Sequence, residues 1–322
     1  VEASFPCKPT GKENIMMQIN RRRFIGTTAA TTAAISWQNP LFAAPKPDEE
    51  GPWDLVAVRN GNPVAMFEAG IAVLGGMKAF VKKGQKVVVK PNIAWDQPPE
   101  VPANTNPDLV AAIVKHCLTA GASKVTVFDH TCHQWERCYK NSGIAKAVED
   151  AGGVMASANL ESHYREVELP KAKTLKKALI HKEMLDCDVF INVPVLKHHG
   201  GAKLSLCMKN LMGVVWDRRF FHNNGLDQCI ADMCFAPRVP NLNIIDAYRI
   251  LRKNGPQGRA KEDGELAQYQ MLGTDMVALD AAAAKLYGME PANLGFVKIA
   301  GEMGAGKADL DKVKIKRITL GT

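Results

Sequence analysis

Four stretches of this chain are apolar runs that end in polar residues: "VVVKPN" (Val87–Asn92), "KVTVFDH" (Lys124–His130), "CDVFINVPVLKHH" (Cys187–His199) and "LNIIDAY" (Leu242–Tyr248). A strand with one wet face alternates apolar and polar residues. These runs do not, so both of their faces must be covered. Segments with helical signals lie between them. Pro63–Val81 is one, and Asn106–Leu118 is another, with Pro107 in its first turn. "NSGIAKAVEDAGG" is a third, closed by glycines. The alternation predicts an α/β fold, a mainly parallel sheet flanked by helices.

The middle of the chain departs from this pattern. "YREVELP" and "LKKALIH" predict a small antiparallel insertion near 154–182. Beyond it, helices are expected at Leu226–Met233 and Met276–Tyr287, and late strands near "GFVKIA" and "KVKIKRITL". "KLSLCMKNLMGVV" has apolar residues at helical spacing, so a helix is expected to begin near Gly201.

The N-terminal region reads as an address. Arg21 and Arg22, one residue, then Phe24 and Ile25 resemble the twin-arginine export motif, ahead of a weakly apolar Ala/Thr-rich run. The expected organisation is upstream translation over 1–15, a twin-arginine signal over 16–44, a linker over 45–53 and a single α/β domain over 54–322. Cleavage is expected near Ala43 or Ala44. The mature chain would then be periplasmic or otherwise extracytoplasmic, or membrane-anchored if the signal stays on, with the twin-arginine translocase as a partner during export. No run reaches the ~20 apolar residues of a spanning helix in the mature chain.

Charge narrows the ligand. The net charge is +8, and leaving out residues 1–44 reduces it to +5. That excess suits an anionic small molecule. It is too diffuse, and too poor in interleaved aromatics, for nucleic acid. In open α/β sheets ligands bind at the carboxyl ends of the strands. Those ends carry Lys90 and Asn92, then Asp129 and His130, then Lys197, His198 and His199, then Asp246. Recurrence of polar groups at the same end of several apolar runs is the main argument for a site there. The alternative is separately solvated loop residues. Adjacent strand residues point to opposite faces, so only one of His198 and His199 is expected to line the site. That histidine could act as a general base or a metal ligand.

"FDHTCHQWERC" supplies a second idea. His130, Cys132, His133 and Cys138 are residue types that suit a transition metal such as zinc, although no standard ligand spacing is matched. After Cys7 the cysteines number seven, which argues against a complete disulfide framework. No C-x-x-C pair supports an iron–sulfur cluster. "GEMGAGKA" imitates a phosphate loop, but Ala308 stands where magnesium binding needs Ser or Thr, so no nucleotide is expected at Gly301–Lys307.

Several segments, in order, resemble domain-of-unknown-function family 362. They are "VVVKPNIAW", "NTNPDLVAAIVKHCLTAGASKVTVFDH", "NSGI", "CDVFINVPVLKHHGGAKLSLCMKNLMGVV", "LNIIDAYRILRKNGPQGR" and "GTDMVALDAAAAKLYG". The most specific are Lys197 and His199 followed by Lys209, Asn210 and Gly213, together with the "DMVALDAAAAKLYG" helix. The resemblance implies an α/β domain and no settled reaction. It favours His199 as the site histidine, and it adds Lys209 and Asn210 to the binding set. Some members carry iron–sulfur motifs or a ferredoxin-like segment; this sequence has neither. It also has "HTCHQW" where the family usually has small or polar residues, which favours a local specialisation such as a metal.

Three functions therefore compete. The first is an exported enzyme whose lysines bind an anion while His199, Lys197 and Asp129 carry the chemistry. Lys90, Asn92, Lys209, Asn210 and Asp246 would hold the ligand. The second is a metal- or iron–sulfur-associated redox protein with a redox partner. The third is a non-catalytic binding protein of the cell envelope.

Overall fold

The computed structural model describes residues 51–321. The twin-arginine motif, the expected cleavage position and most of the expected linker lie outside the described residues. The chain opens with β1 (Leu55–Arg59), α1 (Pro63–Val73), β2 (Lys86–Pro91), α2 (Pro107–Thr119) and β3 (Lys124–Val127). Then come α3 (Trp135–Asn141), α4 (Ile144–Asp150), β4 (Val154–Met155), β5 (Tyr164–Glu168), β6 (Lys177–His181) and α5 (Lys182–Asp186). The central part holds β7 (Val189–Val193), β8 (Val195–His199), β9 (Lys203–Ser205), α6 (Cys207–Asn210), α7 (Arg219–Asn223) and α8 (Leu226–Asp232). The last elements are β10 (Leu242–Leu251), β11 (Gly264–Gly273), α9 (Met276–Tyr287), α10 (Gly295–Glu302) and β12 (Ile315–Thr319).

Ten strands form one sheet among the described residues, in the order β12-β1-β11-β10-β7-β2-β3-β4, with β8 beside β10 and β9 beside β8. Only β11 and β9 run antiparallel to their neighbours. Both faces are covered, as the unbroken apolar runs require. Val87 and Val89 of β2 join the core that contains Phe67, Leu109 and Ile113 from α1 and α2. Val88 points the other way, into the core that contains Met208, Val277 and Phe296 from α6, α9 and α10. Side-chain caps start the main helices: Asn62 for α1, Asn106 for α2 and Asp275 for α9.

Several expectations need correction. The helix expected over Pro63–Val81 stops at Val73, because Gly75 and Gly76 adopt positive φ of 90° and 74°. The run "VFINVPVLKHH" is two strands, not one. Pro194 has no N–H for the ladder, so β10 pairs with β7 before the break and with β8 after it. The helix expected from Gly201 begins only at Cys207, after a turn and β9. "GFVKIA" is the helix α10, with Phe296, Val297 and Ala300 buried at helical spacing. The strand β11 was not expected. Its first half is mixed in polarity and partly exposed, with Leu266 facing solvent, and its last five residues are buried, so it matches neither strand template.

The antiparallel insertion is real but narrower than 154–182: β5 pairs β6 from Tyr164↔His181 to Glu168↔Lys177, while β4 extends the main sheet. Gly301–Lys307 links α10, not a strand, to the region before β12. There Lys307 pairs with Asp54 at 2.7 Å and its backbone N–H binds Asp275. No helix among the described residues is long and apolar enough to cross a membrane.

Candidate functional site

The site starts from β2. Lys90 sits one residue before the strand ends, in register with Asn192 of β7, and is fully buried. A buried ammonium needs a charge partner and acceptors. Asp129, just beyond β3, lies 2.8 Å away. The Pro91 carbonyl and the Asn210 side-chain oxygen accept from the same ammonium at 3.0 and 3.1 Å. Burial draws the Lys90 pKa below its ordinary value, against the upward pull of Asp129. The other Asp129 oxygen accepts from the Ile93 N–H. Gly213 passes directly over this pair. A Cβ there would stand 2.0 Å from an Asp129 oxygen and 2.7 Å from the Lys90 nitrogen, so only glycine fits.

An amide network links Lys90 to Lys197. Asn210 donates to Asn192 at 2.9 Å and accepts from Asn92 at 3.2 Å. Asn92 in turn accepts from Lys197 at 3.0 Å, and the Ala103 carbonyl accepts from the same lysine. Lys197 is 1% exposed, and no carboxylate among the described residues pairs with it. Burial lowers its pKa to about 7. Lys209, on α6, is half-buried and has no hydrogen-bond or ion-pair partner among the described residues. Desolvation lowers its pKa to about 8, with Arg218 and Lys90 adding to the shift. The turn that presents Lys209 and Asn210 is held from behind. Buried Asp280 of α9 accepts from the N–H groups of Cys207 and Met208 at 2.7 and 3.0 Å.

A cavity of about 590 Å³ opens over these groups. Lys90, Asn92, Asp129, Lys197, His199, Lys209 and Asn210 all line it. His198 is not among its walls, as strand alternation requires. Trp95, Trp216 and Met212 supply apolar wall. Two of the three cavity histidines, His199 and His130, are held differently. His199 Nδ1 accepts from the N–H of Gly201 and Ala202 at 3.1 and 3.0 Å. His130 Nδ1 lies 3.0 Å from the Val215 carbonyl, which can only accept, so that nitrogen carries the hydrogen. His130 also stacks on Trp216 at 5.1 Å.

Asp246 is placed elsewhere, and the expected metal set does not converge, although His130 and Cys132 line the cavity. Asp246 does not line the cavity; it accepts from the N–H of Asn106 and Tyr248 and so fixes the start of α2. Burial raises its pKa to about 6. The metal set disperses as well. His130 faces Trp216 and Cys132 faces Arg218 at 3.3 Å. His133 accepts from the Asp96 N–H, and Cys138 is buried against the Ala94 carbonyl. No group of three or more His, Cys, Asp or Glu among the described residues could hold a metal ion. These donors do not fit the expected centre, because a loop and the first turn of α3 turn successive side chains in different directions. The seven described cysteines are all free thiols.

Arg218, Trp95, Trp216 and His222 line the cavity but were not expected there. Arg218 donates to the carbonyls of His130 and Thr131 at 2.8 Å each and so fastens the end of β3. Its one signal in the sequence is a basic pair, Arg218–Arg219, soon after the apolar turn "LMGVV".

Fold and cavity together define an α/β protein with a cationic site at the carboxyl ends of its central strands. The chain belongs to the family described as "Domain of unknown function (DUF362)", whose pattern matches residues 87–285. A thylakoid-associated protein of Synechocystis sp. is 27% identical over 252 residues, which cover 73% of each chain. The lactate racemase apoprotein of Thermoanaerobacterium thermosaccharolyticum aligns with a TM-score of 0.41 and 14% identity, over 64% of this chain and 52% of that one. A Thermotoga maritima protein aligns with a TM-score of 0.44 and 10% identity, over 75% and 60% respectively. The chain thus spans about half the length of the first solved protein and 60% of the second.

Proposed function

We propose that the protein is an enzyme that binds a small organic anion over Lys197 and Lys209. The observation that carries this reading is that both lysines line one cavity and neither has a carboxylate partner among the described residues. A buried ammonium without a counter-ion is costly, and an incoming carboxylate or phosphate would relieve that cost. Lys90 is already neutralised by Asp129 and serves as scaffold. The apolar wall of Trp95, Trp216 and Met212 suits the carbon part of such a ligand. Of the cavity histidines His130 and His199, His130 has a ring nitrogen free to accept a proton, whereas His199 Nδ1 is already occupied.

The test is a thermal-shift panel of carboxylates and phosphate esters, followed by titration calorimetry. Lys209→Ala should weaken the best ligand by about tenfold or more, equivalent to roughly 1.4 kcal/mol, while exposed Lys86→Ala leaves it unchanged. Equal affinity in all three proteins would sink the assignment. Conversion of the bound ligand, followed by NMR, separates an enzyme from a binding protein. Export by the twin-arginine route is part of the same proposal, supported by the Arg21–Arg22 motif. Replacing both arginines with lysine should leave the protein in the cytoplasmic fraction.

A further inference from the structure

His199 ends β8, where the chain turns back through Gly200 and Gly201. Its Nδ1 accepts two backbone N–H groups, from Gly201 and Ala202. A nitrogen that accepts two hydrogens cannot carry its own, so the neutral ring holds its hydrogen on Nε2. Protonating Nδ1 would strip both backbone donors of their acceptor. It would also add a cation among cations. The charged or titratable groups that act on the ring are Lys209, Lys197, His222 and His198, and each opposes protonation. No carboxylate among the described residues pairs with it. Burial and these neighbours push the ring down to about 3. Nε2 has no hydrogen-bond partner among the described residues, although the ring forms part of the cavity wall.

We propose that His199 is a fixed, neutral hydrogen-bond donor whose Nε2–H binds an oxyanion of the ligand beside the Lys209 ammonium, and that it takes no part as a base. The ligand group is a carboxylate or a phosphate, since both offer an acceptor-only oxygen to an N–H and an ammonium at once. This inference rests on the anion reading and adds the residue that orients the oxyanion. A lysine is a point charge on a flexible stem, whereas a ring locked by two backbone hydrogen bonds has one direction.

The experiment uses protein labelled with 15N at histidine and long-range proton–nitrogen correlation. The His199 signals are identified by their loss in His199→Gln. In the free protein the ring should stay neutral, with its hydrogen on Nε2, across about pH 5 to 8. Addition of inorganic phosphate, or separately of acetate, should move the Nε2 signal saturably. The anion that moves it at lower concentration identifies the ligand group. His199→Gln, whose amide can accept and donate in the same sense, should keep anion affinity within about threefold, and His199→Phe should lose about tenfold. A hydrogen on Nδ1, or a titration midpoint inside that pH range, overturns the proposal. If an anion binds, seen by quenching that disappears in Trp216→Phe, but the His199 signal stays fixed, the proposal falls and the anion reading stands. If neither anion binds, both fall, whatever the tautomer.

Discussion

Lys90 and Asp129 form an ion pair with both partners out of water. Such a pair adds little net stability, but removing one partner strands the other charge. Lys90→Met or Asp129→Leu should therefore each lower stability by about 3–5 kcal/mol, and the double variant should lose clearly less than the sum. Urea denaturation of the four proteins measures this. Lys197 behaves differently because no carboxylate partners it. It titrates near 7 in the fold and near 10.5 when unfolded. Between those values the unfolded chain binds more protons, so stability should rise with pH, by roughly a few kcal/mol over the whole range. Urea midpoints should climb from pH 7 to 9.5 in the wild type and climb less in Lys197→Met. Anion affinity should run the other way and fall over the same range, as Lys197 and then Lys209 lose their charge. A flat stability profile would refute the lowered pKa.

Elements place these residues through a few buried acceptors. The turn and short helix α6 depend on Asp280, whose carboxylate receives two N–H groups at the helix start. Asp280→Ala leaves both buried donors unmet, at about 1–3 kcal/mol each. It should also weaken anion binding, because Lys209 and Asn210 ride on α6. Asp232 offers a control. It accepts from the N–H groups of Lys173, Thr174 and Leu175, remote from the cavity walls. Asp232→Ala should destabilise by a similar amount and leave anion affinity unchanged. Calorimetry on both variants decides the point; equal loss of affinity would show a general effect of destabilisation. The break at Pro194 acts at this scale as well. It lets β8 leave β7 and follow the second half of β10, which carries Lys197 over Asn92.

For the whole molecule, a ligand that binds only the folded state stabilises it by mass action. An anion at about 100 times its Kd should add ~2.7 kcal/mol. The thermal transition should rise in the wild type and about half as far in Lys209→Ala, whose tenfold weaker binding leaves ~1.4 kcal/mol at the same anion concentration; an equal rise in both would place the anion elsewhere. The strand runs, most helices and the end of the sheet that carries the cavity were legible from sequence, because burying both faces of a strand demands local, unbroken apolar runs. Lys90, Asn92, Asp129, Lys197, His199, Lys209 and Asn210 were legible for the same reason, aided by the family resemblance, and they do share a cavity. The placement of Asp246 and the divergence of the His/Cys group were not, since their residue types said nothing about the direction each side chain takes. Arg218 and Trp216 were missed because they reach the cavity from a turn with no periodic signal. Sequence by itself determined the class of fold and the chemical character of the strand ends. Tertiary structure alone decided which of those ends meet, that Asp129 is spent on Lys90 while Lys197 and Lys209 go unpaired, and which nitrogen of His199 is free. Those outcomes depend on contacts such as Lys90 to Asn210, 120 residues apart, which no local pattern encodes.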